Sequence, residues 1–221
     1  MDIAAVVRAA LASAGDPERA PEMQRYMKSD MPFRGVPKPA RAALVRGLPA
    51  LETRSEWLDV TGRLWWEAKY REERYVALDL LGLKKHAGWR GVGLLPTYSS
   101  YVVSGAWWDF VDEIANRHIG PLLLADADFM TPQIRTWAAD PDLWKRRVSV
   151  ICQLGAKAET DLELLTYAIE ANAEDKDFFL RKAIGWALRQ YARVEPGWVK
   201  SFVDNHPTLS PLSRREALKH L

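Results

Sequence analysis

The sequence predicts an all-α protein. Helix-start and helix-stop residues recur along the whole 221-residue chain, apolar residues follow the helical period, and no stretch shows the β-branched-rich alternation of a strand. Asp2 caps an Ala-rich opening segment that stops at Gly15. Asp16-Pro17 starts the second helix, with proline at its first position. Pro37 or Pro39 opens a third, Ser55 caps a fourth, and a fifth runs over 71–86. Pro132, after Thr131, starts another. Further helices span about 142–154, 160–173, 177–194 and 197–205, and a last one begins at Ser210.

About a dozen short helices with short polar joins imply helical hairpins stacked side by side, as in a HEAT-like solenoid of about 40 residues per unit. No internal sequence repeat is clean, so a compact helical bundle is the rival architecture. A stacked array is curved, with one concave face, and is expected to form one domain over 1–221. Charge alternates along it. The stretch 144–157 holds four basic residues and no acid, 159–175 holds six acids and no base, and 176–193 holds five bases against Asp177. If alternate helices line opposite faces, the concave face is basic and suits a duplex backbone. The same charges also suit solvated faces of ordinary amphipathic helices.

Composition narrows the classes. Hydrophobic residues make up 48% and charged residues 27%, ordinary for a globular protein. No apolar run reaches membrane-spanning length, and the acidic start Met1-Asp2-Ile3-Ala4 does not read as a signal peptide. The one cysteine, Cys152, excludes an internal disulfide and a Cys-based zinc site, and a cytoplasmic home fits. It lies in an apolar stretch and reads as a core thiol. His86, His118, His206 and His220 show no metal-ligand spacing, and there is neither a phosphate-cradling glycine loop nor a nucleophile elbow. No metal or cofactor is expected. The net charge of +2 does not by itself argue for nucleic acid. The ten tryptophans are the unusual feature.

Three segments could carry chemistry. In 106–113, Trp108 and Asp112 are four apart and share one helical face; spacing alone favours a buried indole with an exposed carboxylate. In Trp144-Lys145-Arg146-Arg147, either arginine could meet phosphate or stay solvated. In 178–189, Phe179, Lys182, Ala183 and Trp186 form one stripe. Such a stripe is commonly core, but the lysine within it and Gly185 beside Trp186 favour a functional face.

These segments resemble the AlkD-like DNA glycosylases, the HEAT-like-repeat family of DNA alkylation repair enzymes. The likeness runs through Tyr26-Met27-Lys28, Pro32-Phe33-Arg34-Gly35-Val36, Trp107-Trp108-Asp109 with Val111-Asp112, and Trp144 with Arg147. It continues through Phe178-Phe179, Lys182-Ala183-Ile184-Gly185-Trp186, Leu188-Arg189-Gln190-Tyr191-Ala192 and 211–220. The resemblance implies excision of N3- and N7-alkylated purines from double-stranded DNA by a monomer, cytoplasmic and nucleoid-associated when bound. It places the catalytic aspartate at Asp112, active-site tryptophans at Trp108 and Trp186, and the active-site arginine at Arg147. Tyr26 and Phe179 match positions near DNA, Lys28 lies in the matching Tyr26-Met27-Lys28 segment, and the charge pattern adds Lys145, Lys182 and Arg189. Pro37-Lys38-Pro39 departs from the family pattern in a loop near the DNA. A non-catalytic DNA-binding relative and a protein-binding helical scaffold are the alternatives.

The chemistry agrees with this. An alkylated purine is already cationic and leaves neutral, so no strong general acid is required. A fixed carboxylate can stabilise positive charge developing on the deoxyribose and orient or deprotonate water. Asp112 takes both roles, the two indoles hold the sugar cation, and Arg147 holds the adjacent phosphate.

Overall fold

The computed structural model describes residues 1–221, with fourteen α-helices and no strands. Contacts group into two compact units, 1–90 and 91–221, where the sequence reads one array.

The first unit contains α1 (Ile3–Ser13), α2 (Arg19–Met27), α3 (Lys38–Arg46), α4 (Arg54–Trp66) and α5 (Arg71–Gly82). Asp2 caps α1 through Ala5 N, and Asp16 caps the turn into α2 through Glu18 N and Arg19 N. Pro37 precedes α3, with Pro39 in its first turn, so the proline-rich segment is a helix start. The fourth helix is capped by Thr53, whose hydroxyl accepts from Glu56 N, and not by the expected Ser55. Two hydroxyls near one start look alike in sequence; the outer one meets the free N–H. The expected helix over 71–86 stops at Gly82, and the chain continues as a 3₁₀ turn over Lys84–Trp89. That turn tucks His86 into the core, stacked on Trp89 at 4.7 Å and beside Trp57. Helices α4 and α5 pack on each other, with α1 against both and α3 against α5.

The segment 32–36 is anchored to α5. Glu72, fully buried on α5, accepts the backbone N–H groups of Arg34, Gly35 and Val36 at 2.9–3.1 Å. Consecutive amides converging on one carboxylate form an anion-binding nest. Gly35 has φ +82°, and a side chain there would collide with the Asp16 carbonyl. Only glycine meets both conditions.

The second unit contains α6 (Leu95–Gly105), α7 (Trp108–Ile114), α8 (Gly120–Ala125), α9 (Ala127–Ala138), α10 (Leu143–Ile151), α11 (Leu162–Glu170), α12 (Phe178–Tyr191), α13 (Pro196–Asn205) and α14 (Pro211–Ala217). A π-helical turn over Ala115–Ile119 joins α7 to α8. It ends two residues before Pro121, whose ring and missing N–H break a regular ladder. The expected start at Pro132 is moved: α9 begins at Ala127 under an Asp126 cap, and Pro132 lies inside the helix. Asp142, Asp161, Asp177 and Ser210 cap α10, α11, α12 and α14. Helix α9 packs on α11, while α10 packs on α12 and α12 on α14. Consecutive hairpins therefore stack layer on layer, as helical repeats do. No helix is long and apolar enough to cross a membrane.

Candidate active site

The chain leaves α6 through Ala106, a non-glycine residue in the left-handed region (φ 39°), and turns at once into α7. Such a residue persists only where its surroundings enforce it. Its effect is to put Trp108 at the first and Asp112 at the fifth position of α7, on one face. Both are half-buried. The Asp112 carbonyl accepts from the Asn116 side chain at 2.8 Å, which steadies the helix as it widens into the π turn.

Arg147 meets Asp112 from α10, which packs against both α7 and α12. Its Nε donates to Oδ1 at 2.7 Å and its Nη2 to Oδ2 at 2.8 Å. The third nitrogen, Nη1, donates to the Phe179 carbonyl at 2.5 Å. This fork fixes the plane of the carboxylate as well as its place. Arg147 is 4% exposed, so its donors turn inward instead of presenting the expected phosphate clamp.

The Phe179 carbonyl is itself well held. Asp177 accepts from Phe179 N at 2.6 Å and Leu180 N at 3.2 Å, fixing the first turn of α12. The Phe179 ring packs with Trp144 (5.1 Å) and Trp107 (5.3 Å), while Phe178 beside it is exposed. Phe179 stands out in the sequence as a residue near DNA, but the role of its carbonyl does not, because a main-chain acceptor has no residue signature. Trp186, further along α12, is half-buried.

Burial lifts the Asp112 carboxyl above the ordinary aspartate range; the hydrogen bonds and charge of Arg147 pull it back, and the nearby Asp109 charge adds to the lift. Cys152 is buried, and burial pushes its thiol up to about 12, which suits a core residue.

The expected basic residues fall into separate groups. Lys145 pairs with Asp140 at 3.0 Å, and its neighbour Arg146 with Asp175 at 3.1 Å. Lys182 and Arg189 both pair with Glu216 of α14, the first at 2.8 Å. Lys182, Gly185 and Arg189 lie at i, i+3 and i+7, so they form the face on which α14 docks. A Cβ at Gly185 would lie 2.5 Å from that of Glu216 and 2.9 Å from the Ser213 carbonyl. Gly185 therefore serves close helix packing; its position beside Trp186 is incidental. Tyr26 (74% exposed) and Lys28 lie at the end of α2 in the first unit, with Lys28 as its left-handed cap (φ 49°).

Comparison with known proteins gives the family. A family model described as "DNA alkylation repair enzyme" matches residues 7–221. A solved structure of a predicted DNA alkylation repair enzyme from Enterococcus faecalis is similar at a TM-score of 0.81 and 32% identity, covering 94% of this chain and 96% of that one. Comparison with the curated proteins finds no match. The chain thus belongs to the DNA alkylation repair enzyme family.

Proposed function

We propose that the protein is an AlkD-like, monofunctional DNA glycosylase of base excision repair. It hydrolyses the N-glycosidic bond of cationic N3- and N7-alkylated purines, such as 3-methyladenine and 7-methylguanine, in duplex DNA, acting as a monomer in the cytoplasm. One observation carries this reading: a half-buried carboxylate, Asp112, held in a fixed plane by Arg147 and sharing a helical face with Trp108. As the C1′–N bond lengthens, the base takes the bonding electrons and departs neutral. Positive charge grows on the deoxyribose, where the Asp112 carboxylate stabilises it and accepts a proton from the attacking water. Water oxygen becomes the new C1′ substituent. Trp108 and Trp186 flank the sugar cation. Arg147 acts as a positioning residue for Asp112. Tyr26, Lys28 and Phe179 contact the duplex, as does Lys182, whose side chain is 40% exposed even while paired.

The test is release of free base from a duplex carrying N7-methylguanine. Wild-type protein should release it in a single turnover, and Asp112→Asn should release it about 10²–10³ times more slowly. DNA binding without release would make the protein a non-catalytic relative. Absence of salt-dependent DNA binding would favour a protein-binding scaffold.

A further inference from the structure

A cavity lies in the 91–221 unit, where α10 ends, α11 begins and α12 ends, and none of its residues belongs to the Asp112 site. Its volume is about 210 Å³, against about 150 Å³ for an engineered apolar cavity that takes benzene. Val150, Leu165, Ala187 and Tyr191 supply apolar wall. The Tyr191 ring is held edge-on by Trp198 at 5.4 Å. Gln153 closes the wall between α10 and α11, its amide donating to the Asp161 carbonyl at 3.0 Å and accepting from Asp161 N at 2.8 Å. The cavity is therefore built before anything enters it.

Its lining includes two cations. Lys157 and Arg193 are both exposed, and neither forms an ion pair. This sets them apart from Lys145, Arg146, Arg147, Lys182 and Arg189 of the same two hairpins, each of which has a carboxylate partner. Lys157 also adopts the left-handed region (φ 54°), a costly conformation for lysine. The Gln190 side chain adds an unengaged amide at the same wall. Small-molecule sites are concave and mostly apolar with a few polar groups at the wall, and a guanidinium and an ammonium lining the same cavity favour an anionic head such as a carboxylate.

We infer that this cavity binds a small organic carboxylate whose apolar body is about the size of a benzene ring. The ring fills the chamber and the carboxylate lies between Lys157 and Arg193.

Benzoate is the probe, with acetate (head alone) and benzyl alcohol (body without charge) as controls, read by thermal melting and amide NMR of the full chain. Benzoate should raise Tm by mass action and shift the amides of Leu154 and Gln190; the controls at equal concentration should do neither. The double variant Lys157→Gln/Arg193→Gln, at exposed positions, should weaken benzoate binding by at least about tenfold, the loss expected for a charge-assisted contact. No response to benzoate, an equal response to benzyl alcohol, or undiminished binding by the double variant would each overturn the proposal.

Discussion

At Asp112, burial and charge pull in opposite directions. Burial favours the neutral acid, Arg147 favours the carboxylate, and burial is the larger influence. The proposed reaction needs the carboxylate. A pKa above the ordinary value of about 3.9 keeps the group protonated at a higher pH than an isolated aspartate. Excision should therefore fall off on the acid side at a pH above that value, and Asp109→Asn, which removes one cause of the lift, should move the fall to lower pH. A pH–rate profile of both proteins under single-turnover conditions checks this. Asp112→Asn preserves shape and removes the charge opposing the sugar cation, so excision should drop by about 10²–10³. DNA binding should persist or improve, since a carboxylate near phosphates repels them in the ground state. The effect should be larger for N7-methylguanine than for the more labile N3-methyladenine. A binding titration beside the excision assay separates lost chemistry from lost binding.

Among the elements, α12 and α14 show how a packing device differs from a charge device. Glu216 reaches across Gly185 to Lys182 and Arg189, and Lys182 is the first cause of its lowered pKa, ahead of Arg189. A carboxyl with a depressed folded-state pKa contributes stability above its unfolded pKa and loses it as pH falls through the folded value. Glu216→Gln should thus cost on the order of 1–2 kcal/mol near neutrality, discounted for the half-exposed lysine, and almost nothing once the pH has fallen below the folded-state pKa. Gly185→Ala should lower stability by about 1–3 kcal/mol at both pH values, because its fault is volume. Denaturant melts at two pH values distinguish them. The cap at Asp2 and the helix starts at Asp16, Asp142, Asp177 and Ser210 were legible in the sequence, since each precedes an apolar-periodic run and its oxygen has one local task. The starts at Ser55 and Pro132 were misplaced and the fifth helix was extended to His86, where local propensity gives way to tertiary contact. A glycine slot such as Gly185 is invisible until the partner helix is known.

For the molecule as a whole, the charge pattern was legible and its cancellation was not. Helices α10 and α12 do lie together, and α11 lies with α9, as the alternation of basic and acidic stretches implies. Their cations, however, are met by acids from the connections, from α7 and from α14: partners up to 35 residues away, beyond any periodicity argument. Asp112 and Arg147 were both singled out, but their pairing is a tertiary fact. Five unpaired cations on phosphates would give a slope of log K against log salt of about −4.5. The measured slope should be shallower, and Asp140→Asn, by releasing Lys145, should steepen it by up to about one; titrations at several salt concentrations decide. The Glu72 nest has a consequence on another timescale. The amides of Arg34, Gly35 and Val36 sit outside any helix, yet their acceptor is buried in α5. Their protons can meet solvent deuterium only when Glu72 is exposed, so this stretch should exchange as slowly as the interior of α5. Rapid labelling of all three, with α5 still protected, would show that the nest opens on its own.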